Sequence, residues 1–540
     1  MPSVGAGALA TWRAAWWPRP GERIVPAVSA ILLALSYPPL HPLILPFVGL
    51  APFALWIRAL PSDSEGRQAA RRGAVVFGTI YFGIVFYWIL VALIWFTKLA
   101  IVAFLATLGI VVAMTTVFAW LLHHGLHTLR APLWVVLPIT WTALEWSRAH
   151  LPGTMAFPWL GLGSSLTGFP ELVGIAELIG SRGVTFWLAM VNALVAGVVL
   201  RLRDGVGWVR QAAVVAAVVA LPASWGVWRA GTLETRIVAR VAIVQPNIPE
   251  HIKLEGETGR DSTFSALDRL IPRIEPGSVD LVVLPEVTLS LFPRAPQFAR
   301  EVSRIQAFSR EVGGAILFGG LGYVSHDEGG LTPFNSAFLM EPEGLTDFQY
   351  DKHYLVPIVE RVPFVPPRML GGLQYFGAYG VGEGWPLVRV DETLFGVLIC
   401  YESSYPEGAR ALRREGADVL LNITNDAWYG REPAYARTTA LWQHPAHMVM
   451  RAIENRMGVA RSANTGISLF VDPVGRVYNA TRLFEEDIRI DDVLTSDVLT
   501  FYTRHGDLVG NGAAAVAFLL MLSALAAARG SSLDPSSGVV

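Results

Sequence analysis

The sequence has almost no cysteine: Cys400 is the only one in 540 residues. A lone thiol has no intramolecular partner, so a structural disulfide is excluded and a metal site built on cysteines is not expected. Two interpretations of Cys400 remain. Most free cysteines are small buried hydrophobic residues. The alternative is a catalytic nucleophile, which requires a base and a charge-stabilising group elsewhere in the chain.

Charged residues are also scarce, at 16% of the sequence against 53% hydrophobic residues. Soluble chains average about 25% charged residues, so much of this chain is expected to lie in lipid. Between Gly73 and Leu122 the only charged residue is Lys98, and the two segments of 24 residues beside it exceed the ~20 needed to span a bilayer. The net charge of −2, without a basic stripe, gives no indication of a nucleic-acid partner.

Other apolar segments, several of them short or interrupted by proline, predict further spans and a total of about eight. They cover residues 24–40, 42–57, 131–146, 183–200, 211–228 and 508–528. With a cytoplasmic N-terminus, the predicted inside segments carry twelve basic residues and the outside loops three. This positive-inside bias predicts that both termini are cytoplasmic and that the segment before the last span lies outside the cytoplasm.

That segment, residues 236–502, alternates short apolar runs with charged helical stretches, as a soluble α/β domain does. The apolar runs are nearly continuous, which is typical of strands buried on both faces. Candidate strands include 236–245, 280–286, 315–324, 393–402, 417–425 and 466–475, and candidate helices include 262–274 and 403–416. We therefore predict three parts: a membrane domain of about seven helices (1–235), an α/β domain (236–502), and a C-terminal transmembrane helix with a short tail (503–540).

Reactive side chains stand where three predicted strands end. They are Glu286 in DLVVLPE, Lys352 and Glu360 in YDKHYLVPIVE, and Cys400, Tyr401 and Glu402 in LICYE. A carboxylate can take a thiol proton, an ammonium can stabilise a thiolate or an oxyanion, and sulfur can carry an acyl group. Each residue alone also has an ordinary interpretation, as a helix cap, a surface charge or a solvated carboxylate.

Three blocks, LPEVTL, YDKHYLVP and LICYES, resemble the catalytic blocks of the nitrilase superfamily, whose α-β-β-α sandwich uses a Glu-Lys-Cys triad. With membrane spans on both sides, the chain resembles the apolipoprotein N-acyltransferase family. FPWLGLG, QPNIP, FNSA, NDAWYG, QH and ANTGIS recur in the family's order. The resemblance implies a polytopic α-helical membrane protein of about eight spans with an inserted nitrilase-like α/β domain.

By this resemblance Glu286 is the general base, Lys352 stabilises the oxyanion and thiolate, and Cys400 is the nucleophile. Glu360 supports the lysine, and Tyr401 and Glu402 match the two residues after the nucleophile. The implied reaction needs no cofactor. It transfers an acyl chain from a phospholipid, expected to be phosphatidylethanolamine, through a Cys400 thioester to the α-amino group of a diacylglyceryl-apolipoprotein. The implied location is the bacterial inner membrane, with the catalytic domain on its outer side.

Two departures from the family pattern stand near this site. Leu254 takes the place of a tryptophan, and the loop 357–360 reads PIVE where the family has Pro-Phe-Gly-Glu. Since β-branched residues disfavour positive φ, we expect an altered loop conformation. The apolar strips 289–293 and 369–380 are either lids that enter lipid or ordinary packing; together with Leu254 the candidate lid residues are Phe292, Tyr375 and Phe376.

We expect no metal site. His123, His124 and His127 have metal-like spacing but lie at the end of a span without an added carboxylate or cysteine. Two other functions remain open beside acyl transfer to an amine. One is a membrane-tethered amidase or hydrolase, because the triad does not separate transfer from hydrolysis. The other is a catalytically inactive scaffold that binds lipoproteins, against which the intact triad argues.

Overall fold

A computed structural model describes residues 17–94, 98, 100–326, 330–364 and 378–532. The first part of the described chain is helical. Its helices are α1 (Ile24–Ala34), α2 (Leu45–Val48), α3 (Ala51–Arg58), α4 (Ser64–Ile94), α5 (Ala100–His127), α6 (Leu133–Ala149), α7 (Ala176–Arg203) and α8 (Val209–Thr232).

The next part mixes strands and helices, and a long helix follows it. The strands are β1 (Arg236–Gln245), β2 (Leu281–Val283), β3 (Ala315–Ser325), β4 (Leu331–Glu341), β5 (Gly344–Asp351), β6 (Leu387–Val390), β7 (Thr393–Ile399), β8 (Val419–Thr424), β9 (Gly458–Ala463), β10 (Leu469–Val471), β11 (Val477–Tyr478) and β12 (Asp487–Thr495). The helices are α9 (Glu250–Lys253), α10 (Glu257–Leu270), α11 (Ala299–Val312), α12 (Pro406–Arg414), α13 (Ala440–Asn455), α14 (Phe501–His505) and α15 (Leu508–Ser532).

Within the described residues, five helices are long and apolar enough to cross a membrane: α4, α5, α7, α8 and α15. They overlap five of the predicted spans, and the chain is a membrane protein. The other three predicted spans correspond to shorter helices. The first contains the 11 residues of α1, the second is divided between α2 and α3, and α6 has 17 residues with Pro138 inside. The total of about eight spans stays a prediction.

The strands form two six-stranded sheets, ordered β12-β1-β2-β3-β4-β5 and β11-β10-β9-β8-β7-β6. Each sheet has a parallel centre, β1 to β3 in one and β7 to β9 in the other, flanked by antiparallel strands. The carboxyl ends of the three parallel strands therefore share one edge of each sheet. Loops leaving that edge are the usual place for ligand sites in open α/β sheets.

The two sheets face each other across a shared apolar core. Successive strand residues point to opposite faces, so Leu281 and Val283 of β2 enter this core while Val282 packs beneath α10 and α11 on the outside. Val397 and Ile399 of β7 meet them from the second sheet. The result is the predicted α-β-β-α sandwich, and burial on both faces explains why the strands read as continuous apolar runs.

The outer face of the second sheet rests on the membrane helices. Residues of α12 and α13, among them Leu412, Met448 and Ile453, belong to the same apolar core as residues of α4 to α7. Ion pairs reinforce the contact, since Arg182 of α7 lies 2.8 Å from Glu407 of α12. The end of β7, which leads to α12, is therefore held close to the membrane part of the molecule.

Candidate active site

The residues that the sequence analysis selected come together between the two sheets. Glu286 follows β2, Lys352 follows β5 directly, and Cys400 follows β7 directly. Glu286 and Lys352 thus come from the first sheet and Cys400 from the second. Glu360 joins them from the loop after Lys352, so the meeting point is the edge at which the parallel strands of both sheets end.

Lys352 lies between two carboxylates. Its Nζ donates to Glu360 Oε1 at 2.9 Å and to Glu286 Oε1 at 3.2 Å. Asn335 Nδ2 donates to the same two oxygens, at 2.9 Å and 2.7 Å respectively. All of these side chains are buried. The main-chain N–H of Asn425 donates to the other oxygen of Glu286, at 2.9 Å, so this carboxylate is fixed on both sides.

These contacts set the charges of the cluster. Burial alone would lower the pKa of Lys352, but the carboxylates of Glu286 and Glu360 outweigh it and hold that pKa well above its usual value. Burial alone would raise the pKa of Glu286, but Lys352 and the amide of Asn335 outweigh it and hold that pKa below its usual value. Glu286 is therefore ionised at neutral pH and is able to accept a proton.

Cys400 begins a tight turn, Cys400–Ser404, and has a φ of 52°. A non-glycine residue rarely adopts this left-handed conformation, and strain of this kind is concentrated at functional sites. Buried His444 holds the turn: its Nε2 donates to Cys400 O at 3.0 Å, and its Nδ1 lies 2.8 Å from Asp426 Oδ1. Burial, and then the charge of Glu286, raise the pKa of the Cys400 thiol, so the resting sulfur keeps its proton.

Glu402 ties the nucleophile turn to the segment that carries Lys352. Its carboxylate accepts from the main-chain N–H of Ile399 at 2.7 Å, and from those of His353 and Tyr354 at 2.7 Å and 3.1 Å. The Tyr350 hydroxyl donates to it at 2.8 Å. Because these donors come from β7 and from both sides of Lys352, Glu402 fixes the distance between the two sheets at the site.

Tyr401 faces the membrane part of the chain. Its hydroxyl donates to Ala156 O at 3.1 Å, and Tyr405 donates to the same oxygen at 2.8 Å. The Tyr401 ring stacks beside Trp159, with 6.5 Å between ring centroids. Arg148 of α6 in turn donates to Trp159 O at 2.6 Å. A continuous set of contacts therefore runs from α6 to the residue after Cys400.

The loop before Glu360 differs from the expectation in a specific way. Ile358, a β-branched residue, has a φ of 69°. Val359, which stands where the family has glycine, is not among the residues with positive φ. The loop still directs Glu360 inward, where its Oε2 accepts from the main-chain N–H of Val356 at 2.8 Å.

Leu254 and Phe292, two of the four candidate lid residues, have no described contact with Glu286 or Glu360. Leu254 is 38% exposed. Phe292 packs edge-on against Tyr323, with 5.4 Å between ring centroids. Tyr375 and Phe376 lie outside the described residues. A lid role for these four residues stays a prediction.

Three contact residues of Glu286 had no role in the sequence analysis: Asn335, Asn425 and Lys253, whose Nζ donates to Glu286 O at 2.9 Å. Asn335 belongs to FNSA and Asn425 to NDAWYG, two of the blocks that follow the family order. These two blocks were therefore the sequence signal for Asn335 and Asn425. In the described part of the chain, no group of three or more histidine, cysteine, aspartate or glutamate side chains is placed to hold a metal ion.

Comparison with known proteins first defines the class. The carbon-nitrogen hydrolase family model matches residues 240–500, which contain both sheets and the site. Among solved structures, a CN-hydrolase superfamily protein from Xanthomonas campestris is 21% identical and is matched over 90% of its length and 47% of this chain, with a TM-score of 0.33. The family-model match alone identifies the α/β part of the molecule as a carbon–nitrogen hydrolase domain of the nitrilase superfamily.

The membrane part specifies the family. Residues 29–194 match the model of the apolipoprotein N-acyltransferase N-terminal domain. The apolipoprotein N-acyltransferase of Geobacter metallireducens is 30% identical over 521 residues, which cover 92% of this chain and 95% of the relative. That of Chlorobaculum tepidum is 29% identical, over 93% and 96%. The chain belongs to the apolipoprotein N-acyltransferase family and is an acyltransferase.

Proposed function

We propose that this protein transfers an acyl chain from a phospholipid to the α-amino group of the N-terminal diacylglyceryl-cysteine of apolipoproteins, the last step of bacterial lipoprotein maturation. The observation that carries the proposal is the cluster of Glu286, Lys352 and Glu360 beside the strained turn at Cys400. We propose phosphatidylethanolamine as the donor. Glu286 is the base, Lys352 the charge stabiliser and Cys400 the nucleophile.

In the first half-reaction Cys400 attacks the ester carbonyl of the phospholipid. The thiol proton passes to Glu286 as the carbon–sulfur bond forms, because the buried thiol does not ionise by itself. Lys352 has three N–H groups, of which the two carboxylates use two, and the third is available to the oxyanion. Collapse breaks the ester bond, and the leaving lysophospholipid oxygen takes the proton from Glu286. The acyl chain stays on sulfur as a thioester.

In the second half-reaction the free amine of the apolipoprotein attacks the thioester. Glu286 takes a proton from the attacking nitrogen and returns it to the leaving sulfur, so an amide forms and Cys400 regains its thiol. Glu360 keeps Lys352 in place during both steps. The enzyme alternates between a free and an acylated form, which predicts ping-pong kinetics.

The contacts between the site and the loop after α6, which follows the apolar helices of the N-terminal part, support lipid substrates. Tyr401 and Tyr405 bond to the loop after α6, and Trp159 of that loop stacks on Tyr401. A site held at the membrane surface meets lipid-anchored carbonyls and amines without a search through solution. We further propose the three-part division at about residues 235 and 502, which rests on the change from apolar segments to an α/β pattern. The distribution of basic residues supports cytoplasmic termini and an outer catalytic domain. The family supports an inner-membrane location.

The experiment is a transfer assay with the purified full chain in detergent. It is incubated with phosphatidylethanolamine and a synthetic diacylglyceryl-cysteine peptide, and the peptide is analysed by mass spectrometry. We expect a mass gain of one acyl chain on the peptide amine, absent with Cys400→Ser. Release of free fatty acid without peptide acylation would favour a hydrolase. Neither product, with the peptide bound, would favour a scaffold.

A further inference from the structure

Lysine is rare in this chain. Of the 42 basic residues only Lys98, Lys253 and Lys352 are lysine, and the others are arginine. Lys98 is exposed between α4 and α5. Lys352 is the proposed charge stabiliser, and Lys253 contacts the same glutamate, Glu286. Two of the three lysines therefore contact the same residue, Glu286, although nearly all other basic residues of the chain are arginine.

Lys253 is held in a buried position. It ends the short helix α9 and is 7% exposed. Its Nζ donates to the main-chain oxygen of Glu286 at 2.9 Å. Burying an ammonium is costly unless charges and hydrogen bonds compensate it. Here burial lowers the pKa of Lys253 below its usual value, and the carboxylates of Glu250 and Glu286 oppose that effect only in part. A compact ammonium fits this space at the end of β2, whereas a guanidinium is larger and needs more partners.

Glu250, one turn before Lys253, contacts Glu286 through a neighbour. Its Oε2 accepts from Asn425 Nδ2 at 2.6 Å, and the main-chain N–H of Asn425 donates to Glu286 Oε2 at 2.9 Å. Asn464 Nδ2 fixes the Asn425 side chain by donating to its Oδ1 at 2.9 Å. The helix α9 therefore reaches Glu286 twice, at the main chain through Lys253 and at the carboxylate through Asn425.

We propose that Lys253 is a positioning residue of this active site: its ammonium anchors the main chain at Glu286 and adds a second positive charge beside that base. The role deepens the proposed function, on which it rests. Lys352 faces the reacting atoms, whereas the hydrogen bond of Lys253 is made to the main chain of Glu286. Its task is to keep Glu286 ionised and correctly placed through both half-reactions.

The charge of Lys253 has a measurable consequence for Glu286. It is one of the groups that hold the pKa of this carboxyl below its usual value. The titratable or charged groups that act on Glu286 or Lys253, or are acted on by them, are Glu250, Lys352, Glu360, Tyr379, Cys400 and Tyr429. With these unchanged, loss of the Lys253 charge should raise the pKa of Glu286.

The test uses Cys400, whose uniqueness makes thiol labelling specific. The full chain in detergent is treated with iodoacetamide from about pH 4 to 8, and the alkylation rate is followed by intact mass. Lys253→Met removes the charge and the donor, whereas Lys253→Gln removes only the charge. At low pH the alkylation rate should fall as Glu286 takes up a proton, and this fall is the acid limb of the rate profile. We expect both variants to move the acid limb to higher pH by about one pH unit. The glutamine variant should keep more of the plateau rate, because its amide still donates. Lys98→Met is the matched control and should leave the profile unchanged.

A plateau rate that falls without movement of the acid limb would show that Lys253 is only structural and would overturn the proposal. If Lys253→Met does not fold, Lys253→Gln decides alone, since its acid limb must still move. Alkylation involves no lipid, so this result is independent of the proposed acyl transfer. A shifted limb in a protein that phosphatidylethanolamine does not acylate would support the role of Lys253 and refute the donor.

Discussion

Replacing Lys352 by methionine should add a contribution to the free energy of unfolding that falls as the pH rises. A carboxylate held in an ion pair has the opposite effect, because its contribution increases as the pH rises. The substitution removes the ammonium that lies 3.2 Å from Glu286 and 2.9 Å from Glu360 while leaving both carboxylates buried. Asn335 still donates to one oxygen of each, so the two carboxylates remain close together. Methionine has a similar length, so the loss of charge is the main change.

The magnitude follows from the two distances. At an effective dielectric constant of about 20, opposite charges about 3 Å apart attract by about 5 kcal/mol. Measured losses on breaking one partner out of a buried pair are about 3 to 5 kcal/mol. We therefore expect Lys352→Met to lower the free energy of unfolding by about 3 to 5 kcal/mol near pH 7.5. Two carboxylates sharing a site cannot both ionise freely, so one of them should have a strongly raised pKa in the variant.

The sign of the pH dependence follows from this raised pKa. Between the usual glutamate pKa of about 4.5 and the raised value, the folded variant binds a proton that the unfolded chain does not, so its stability falls as the pH rises. In the wild type Lys352 holds the pKa of Glu286 below its usual value, so the wild type does not lose stability in this way as the pH rises. The gap in melting temperature between wild type and variant should therefore widen from pH 5 to pH 7.5, by about 2 °C per kcal/mol.

The assay is thermal unfolding of the full chain in one detergent at pH 5, 6, 7 and 7.5. Lys98→Met, the same substitution at an exposed lysine, should show no change at any pH. A gap that is constant across the pH range would refute the reasoning, because it would mean that Lys352 is not compensating two ionised carboxylates. A gap larger at pH 5 than at pH 7.5 would refute it as well.

Three further predictions concern the nucleophile and its turn. Because ionised Glu286 takes the thiol proton during attack, the rate of acylation of Cys400 should be flat between about pH 5.5 and 8; a tenfold rise per pH unit toward the ordinary thiol pKa of about 8.5 would contradict base assistance. Glu402→Gln replaces an acceptor of four hydrogen bonds and should cost about 2 kcal/mol in thermal unfolding and slow acylation about tenfold; unchanged kinetics would refute its linking role. Tyr401→Phe and Tyr405→Phe should each lower the free energy of unfolding by less than about 1 kcal/mol. The double variant should lose more than the sum of the two, because only then does the shared acceptor, Ala156 O, lose both donors. Additive losses in the free energy of unfolding would contradict this.

The sheets were the part of the fold that sequence patterns predicted best. The run 236–245 is β1 residue for residue, and the other candidate runs overlap β2, β3, β7, β8 and β10, because strands buried on both faces are almost entirely apolar. The strands β4, β5, β6, β9 and β11 were not among the candidates, and neither was β12. The strand β12 pairs with β1 but alternates charged and apolar residues, and most of it is only partly buried.

The membrane spans were harder to count, for a physical reason. Hydropathy records composition and not helix length, so α6, with Pro138 inside 17 residues, reads as a span although the helix is short. The two proline-containing helices α2 and α3 read as one continuous apolar segment. Within the described residues, five helices are long and apolar enough to cross a bilayer, and the total of about eight spans stays a prediction.

The reactive residues of the candidate site could be proposed from the sequence, but the positioning residue Lys253 could not. Glu286 and Cys400 follow the apolar strands β2 and β7, and strand ends at one sheet edge lie close in space. Lys352 follows β5, which is not apolar, so its signal was the block YDKHYLVP. Lys253 carries no such signal, because a lysine in a short polar helix usually points to solvent. Its burial depends on α9 folding back onto the end of β2, a tertiary contact that no local pattern encodes.

The measurement that tests the central claim most directly is the intact mass of the purified protein after incubation with phosphatidylethanolamine alone. Wild type should gain the mass of one acyl chain, and peptide mapping should place it on Cys400. Hydroxylamine should remove the acyl chain, as it does from a thioester. The Cys400→Ser variant should carry no acyl chain that hydroxylamine removes in this way. A wild-type protein that stays unmodified while Cys400 remains reduced and reactive to iodoacetamide, or an acyl chain carried at any other residue, would contradict the account.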